Sequence, residues 1–219
     1  MVKARAKTLP PEEVLRSTKE PDFRQERSRK SFVALLDAAT ELFAKHGYDA
    51  VGTPEIAQHA GVSVGTFYRY FEDKQEIYVE ISRRSMLAAY NESIGSMTAK
   101  DFIGKSRTET IAVAVAKVLD NVLSRPELSR SFTEMSLRDP QVAELRRAVE
   151  ELSVARLAQL ISAVVPRSAV PDPEATAFVL YATVMECAYS LVTPFRPPII
   201  PAERIKTALT TFIERALFG

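Results

Sequence analysis

"GVSVGTFYRYFEDKQEIY", residues 61–78, carries five aromatic residues and two of only seven glycines in the chain. A segment so rich in rings belongs in a core. Yet Gly65 stands where a buried helix favours alanine, and Tyr68, Arg69 and Tyr70 are too polar to bury together. Placed on a helix that starts after Ser63, Phe67 and Phe71 lie four apart and share one face. Ile56 and Ala57 of a preceding helix can close a small core beneath them. Val64, Gly65, Thr66, Tyr68, Arg69 and Tyr70 are then left on the open side.

The flanking sequence supplies the partners. "TPEIAQHAG" (53–61) reads as a short helix with Thr53 as N-cap, Pro54 in the first helical position and Gly61 as its stop. The turn Ala60–Ser63 has the length of a helix-turn-helix connection. Upstream, in "QERSRKSFVALLDAATELFAKHG" (25–47), Phe32, Leu35, Leu36, Ala39, Leu42 and Phe43 recur at spacings of three and four, and Gly47 suits a left-handed stop. Downstream, Asp73 and Glu76 have capping-box spacing and open a long helix to about Ile94. Helices are expected near 105–124, 126–137, 141–165, 173–193 and 202–217, punctuated by prolines. No stretch alternates as a strand does, so the expected fold is all-α.

A chain of 219 residues, 46% hydrophobic and 26% charged, has the composition of a soluble globular protein. Its apolar runs read as too short for a bilayer span, and residues 1–20 lack the apolar centre of a secretory signal. A single cysteine, Cys187, excludes an intrachain disulfide and fits a reducing cytoplasm. The net charge of +1 names no partner, but Lys and Arg outnumber Asp and Glu in residues 1–30. Residues 1–24, with Pro10, Pro11 and Pro21, read as a flexible basic arm, either a plain solvated tail or one in which Lys3, Arg5 and Lys7 track a groove. The organisation expected is this arm, a helix-turn-helix domain over 25–72, and a larger helical domain over 73–219.

The open side of 63–70 suits the major groove of DNA. Gly65 lets the backbone approach, Thr66 offers a hydroxyl and a methyl, and Val64 offers an apolar surface for a thymine methyl. Tyr68, Arg69, Tyr70 and Lys74 supply phosphate donors. The same residues also suit an ordinary packed helical corner. Over residues 35–78 the points Ala39, Phe43, Gly47, Thr53, Ile56, Ala57, Gly61, Val62, Gly65, Phe67, Tyr68, Phe71 and Lys74 resemble, in order and spacing, the DNA-binding domain of the TetR-type family of bacterial transcriptional regulators. That resemblance implies three short helices that read DNA, followed by a helical domain that binds a small molecule and dimerises. It makes Thr53 a phosphate anchor, Val64, Gly65 and Thr66 base-contacting positions, and Tyr68, Tyr70 and Lys74 backbone clamps. Positions 63–66 hold no Gln, Asn or Lys, so sequence choice rests on methyl contacts, Arg69 and DNA shape.

Helix 173–193 carries two apolar stripes and needs cover on two sides. The resemblance supplies a ligand-binding core and a partner subunit, with helix 202–217 completing a homodimer interface. Met86, Tyr90, Phe132, Met135, Phe178, Tyr181, Met185 and Tyr189 are the candidates to line a mostly apolar pocket, although such a stripe also suits plain core. "PFRPPIIP" (194–201) reads as a stiff linker. His46 and His59 have no partner at ligand spacing, so no metal is expected, and no phosphate-binding glycine loop points to a cofactor. The function expected is a dimeric repressor that a largely apolar small molecule releases from a palindromic DNA operator. A helical enzyme or a helical adaptor is the alternative, and a catalytic pair that would favour the enzyme does not stand out.

Overall fold

The computed structural model describes residues 9–16, 26–193 and 198–219. Among them there are α-helices and short 3₁₀ turns and no strand. The chain divides into two compact units, residues 1–86 with 131–148, and residues 87–130 with 149–219. The basic positions Lys3, Arg5 and Lys7, and residues 194–197 of the linker, lie outside the described residues.

The first unit begins with α1 (Pro11–Leu15). The sequence reads as a flexible arm here, and the structure instead forms a helical turn with Pro11 at its start and Leu15 fully buried. Arg83 Nε also donates to the Val14 carbonyl at 3.3 Å. Next come α2 (Glu26–His46), α3 (Thr53–His59), α4 (Val64–Tyr70) and the first part of α5 (Lys74–Glu92). Gly47 ends α2 at φ 78° and Gly61 ends α3 at φ 67°, a region that an L side chain strains to enter. Phe32, Leu35, Leu36, Ala39, Leu42 and Phe43 of α2 are all buried. Ile56, Ala57, Phe67, Phe71, Ile77 and Tyr78 complete that core.

The second half of α7 (Pro126–Arg138) and the first part of α8 (Pro140–Val164) belong to this same unit. The division therefore departs from the expected boundary after residue 72, and side-chain chemistry accounts for it. Tyr78 is buried with its hydroxyl 2.7 Å from Ser131 Oγ and its ring edge-on to Phe132 at 5.9 Å. Burial raises the Tyr78 pKa, with nearby Glu134 adding to it, so the phenol stays neutral. Gln75 donates to Asp139 Oδ2 at 2.7 Å, and Asp139 Oδ1 accepts from the first amides of α8, those of Gln141 and Val142. Arg138 forks onto Asp49 with bonds of 2.8 and 2.9 Å and reaches Glu134 at 2.9 Å.

The second unit holds the end of α5, 3₁₀ turns at Ile94–Ser96 and Ala99–Phe102, α6 (Arg107–Ser124), the rest of α7 and α8, α9 (Pro173–Val192) and α10 (Ala202–Phe218). Ser106 caps α6 by accepting from the Glu109 amide, and Asp172 caps α9 by accepting from the Ala175 amide. α6 packs against both α9 and α10. Contrary to the expectation from its apolar runs, α9 is long and apolar enough to cross a membrane by length and composition. In the fold one stripe of it, Ala177, Leu180, Val184, Ala188 and Val192, is buried in the unit's apolar centre, and the rest of the helix is half-buried or exposed. Gly95 is fixed by close approach, since a Cβ there would lie 2.9 Å from the Tyr90 ring and carbonyl.

The Asp49–Arg138 fork makes stability depend on pH in a stated direction. The hydrogen bonds from Arg138 hold the Asp49 carboxyl below its ordinary range. A depressed folded-state pKa contributes stability above the unfolded value, and that contribution is lost as pH falls through the folded one. Asp49→Asn should therefore lower the melting temperature at neutral pH and flatten its decline on acidification. An unchanged acid limb in thermal unfolding would show that the fork contributes nothing.

Candidate nucleic-acid interface and ligand cavity

In the first unit, α3 and α4 are joined by the turn Ala60–Ser63, and α4 is set by its inner face. Phe67 and Phe71 are buried, with ring centroids 5.7 Å apart, and Phe71 stacks on Phe32 of α2 at 5.4 Å and 18°. Ser63 caps the helix as its sequence suggests, accepting from the Thr66 amide at 3.2 Å with its Oγ 2.9 Å from Thr66 Oγ1. With the apolar face so committed, Val64, Gly65, Tyr68 and Arg69 are exposed and Thr66 is half-buried. Arg69 lies 6.0 Å from the Tyr70 ring and makes no hydrogen bond among the described residues.

Thr53 behaves differently from its expected role as a cap. Gly52 is the N-cap, in an extended conformation, and Thr53 is the first helical residue. A glycine satisfies no amide with a side chain, so sequence favours threonine for that role; the structure turns Thr53 outward instead. Its Oγ1 lies 3.0 Å from the Tyr68 hydroxyl. Two hydroxyls, one from the start of α3 and one from the exposed face of α4, thus meet at the surface. One of them must donate to the other, which leaves a single O–H of the pair free to donate outward.

Tyr70 and Lys74 have intramolecular tasks. The Tyr70 hydroxyl donates to the Ser28 carbonyl at 3.0 Å, tying α4 to the first turn of α2. Lys74 Nζ donates to the carbonyls of Tyr48, Asp49 and Val51 at 2.9, 3.3 and 3.0 Å, and lies 4.5 Å from the centre of the Tyr48 ring. Three ammonium protons and three carbonyl acceptors leave no donor over. Lys74 locks the loop before α3 to the start of α5. The capping pattern there is also shifted by one residue: Asp73 accepts from the Glu76 amide as expected, whereas Glu76 accepts from the amide of Glu72.

The second unit contains a cavity of ≈ 220 Å³. Its wall is apolar, with Ile111, Val115, Leu157, Ile161, Val184 and Leu217 among its lining; Asp101, Lys105 and Lys117 stand where it meets solvent. Of the eight residues proposed for a pocket, the structure places Tyr181 and Met185 in this lining. Tyr90 and Tyr189 pack against the same apolar core without lining the cavity, and Phe178 is exposed. Phe132 and Met135 are buried and Met86 half-buried in the first unit. The contribution of α6 is absent from the sequence reading, because its Ile111, Val115 and Val118 look like an ordinary core stripe. Only the nearby Lys105 and Lys117 set that stripe apart. Cys187 is half-buried, and burial together with Glu186 raises its thiol pKa, which favours a neutral packing group over a reactive thiolate.

Residues 35–81 match the model of the bacterial regulatory proteins of the tetR family. The fatty acid metabolism regulator protein of Bacillus subtilis is 27% identical over 126 residues, 58% of this chain and 62% of that protein. The HTH-type transcriptional repressor KstR of Rhodococcus jostii is 31% identical over 114 residues, 52% of this chain and 51% of that one. The chain thus spans less than two thirds of the length of these relatives. A solved transcriptional regulator from Rhodococcus sp. superposes with a TM-score of 0.68, covering 84% of this chain and 95% of its own at 23% identity, which is a likeness of fold.

Two substitutions separate reading from scaffolding. A Cβ at Gly65 would meet only Ser63 Oγ at 3.9 Å, an ordinary contact, so the fold itself has room for alanine. Gly65→Ala should raise stability by up to about 1 kcal/mol while weakening duplex DNA binding. Destabilisation, or unchanged binding, would mean that Gly65 serves the fold and not a close approach. Lys74→Met should lower stability by about 2 kcal/mol through the lost charged hydrogen bonds. It should leave the salt dependence of DNA binding unchanged; a slope reduced by about one unit would mean that Lys74 reaches phosphate instead.

Proposed function

We propose, from the match of residues 35–81 to the TetR family of bacterial regulatory proteins, that the chain is a dimeric, ligand-responsive DNA-binding repressor acting in the cytoplasm. The observation that carries this is the outward face of α4: Val64, Gly65, Thr66 and Arg69 stand ready for base edges, flanked by the Thr53–Tyr68 hydroxyl pair for the backbone. The role of Lys74 is to hold that head in shape. The effector is largely apolar, in keeping with the cavity wall and with a relative named for fatty acid metabolism.

One short reading helix makes few contacts, so a second copy is needed to read a palindrome at half-sites about 34 Å apart. The surface that suits a partner is the outer side of α9 and α10. Phe178, Val179 and Phe212 are exposed there, and Ala175, Ala182, Ala208 and Ala216 between them are also exposed and small. Exposed rings among small residues make a self-complementary apolar patch.

Switching requires that the effector bind two states of the dimer unequally. α5 contributes Lys74–Met86 to the first unit and Leu87–Glu92 to the second, and α8 likewise has residues in both. Continuous helices thus form the covalent route from cavity to reading head. A coupling of about 1–3 kcal/mol is sufficient for release, and operator DNA must weaken effector binding by the same factor.

The test uses the DNA flanking the protein's own gene. Sedimentation velocity should show a dimer, and anisotropy should show salt-dependent binding to a palindromic fragment. Phe212→Asp should give a folded monomer whose affinity for that palindrome falls by about 10²-fold or more, as bivalency is lost. A Phe212→Asp protein that remains dimeric would move the interface elsewhere. A parent protein that ignores DNA at low salt would overturn the regulator reading itself.

A further inference from the structure

We propose that the cavity of the second unit takes a single-chain amphiphile with an anionic head, its tail against the α6, α8 and α9 wall and its head at Lys105 and Lys117. This rests on that cavity being the effector site of the regulator. The tail follows from the wall, since Ile111, Val115, Leu157, Ile161 and Val184 offer a chain nothing but apolar contact. Such a site draws its affinity from burial of the tail and its selectivity from a few placed polar groups.

The sign of the head follows from the charges at the mouth. Asp101, Lys105 and Lys117 all line the cavity and are exposed. Asp101 is already engaged: its Oδ2 accepts from the Thr98 amide at 2.7 Å and the Thr98 hydroxyl at 3.2 Å. Both lysines also lie close enough to help hold its carboxyl below the ordinary range. One carboxylate against two ammonium groups leaves the mouth positive. Neither Lys105 nor Lys117 makes a hydrogen bond or ion pair among the described residues, so both are available to a guest. Of the two threonines that line the cavity, Thr98 donates its hydroxyl to Asp101 and Thr110 uses its side chain on the carbonyls of Asp101 and Ser106. Arg156, which donates to the carbonyl of cavity-lining Met97 and leaves its buried Nε–H without a partner, adds positive charge behind that wall. A cationic head finds only Asp101, with two ammonium groups beside it; a neutral head can accept a hydrogen bond from a lysine but gains none of the charge attraction.

A carboxylate and a phosphate share this chemistry, and three ligands of one chain length separate the cases. Decanoate, decyl phosphate and decanol are titrated calorimetrically, below their aggregation concentrations, into the full-length parent and a Lys105→Gln/Lys117→Gln variant. At least one of the anions should bind the parent roughly tenfold tighter than decanol, as two solvent-exposed ion pairs can supply. Which anion is tighter identifies the head. In the variant the advantage should shrink to about twofold or less while decanol binds as before. Equal binding of all three ligands to the parent, an anion preference that survives in the variant, or no binding of any of them would overturn the proposal. The same preparations are assayed on operator DNA. DNA binding without anion preference removes this inference and leaves the regulator standing. Anion preference in a protein that never binds DNA does the reverse.

Discussion

The stack of Phe71 on Phe32, 5.4 Å apart and nearly parallel, is the contact on which the reading head depends. A helix of seven residues has too few hydrogen bonds to hold itself, and its stability must come from burial of one face. Phe67 and Phe71 provide that face and α2 receives it, with the Tyr70 hydroxyl pinned to Ser28 at the edge. Once the inward positions are used this way, the geometry of a helix leaves Val64, Gly65, Tyr68 and Arg69 no place but the surface. Exposure of the recognition face is thus a consequence of core packing. Gly65 is not required by the core, since a side chain there would meet only Ser63 Oγ at 3.9 Å.

The same head is braced from two further directions. Lys74 closes the loop after α2 with three backbone bonds, and Arg138, Asp139 and Ser131 of α7 and its end hold Asp49, Gln75 and Tyr78. Residues 131–148 are distant in sequence from α2–α4 yet belong to the unit that carries them. α5 and α8 each have residues in this unit and in the second, so two continuous helices join the two units along the chain.

Much of this was legible in residues and spacing. The helices follow their apolar periodicity to within a residue or two, because Gly47, Gly61 and the prolines punctuate them strongly. Ser63 was legible as a cap for the same local reason. Thr53 was not, because the preference for a threonine cap is local whereas its outward hydroxyl is decided by Tyr68 fifteen residues away. Lys74 looked like a free cation since the carbonyls that bind it belong to a loop without side-chain signature. Phe132 and Met135 read as pocket residues for want of any sign that Tyr78 and Ser131 would pair. The cavity wall from α6 went unseen because an apolar stripe facing a void and one facing a side chain have the same sequence. The buried Leu15 shows that one well-placed leucine can anchor a turn in a segment otherwise without periodicity.

DNA is expected to meet the face of α4 left over by the aromatic core. Amide hydrogen exchange, measured with and without a duplex from the region flanking the protein's own gene, tests it directly. Added protection should centre on the turn and helix of residues 61–70 and on the start of α3 at Thr53–Glu55. Tight binding with protection confined to other surfaces, and exchange across α3 and α4 unchanged, would contradict it.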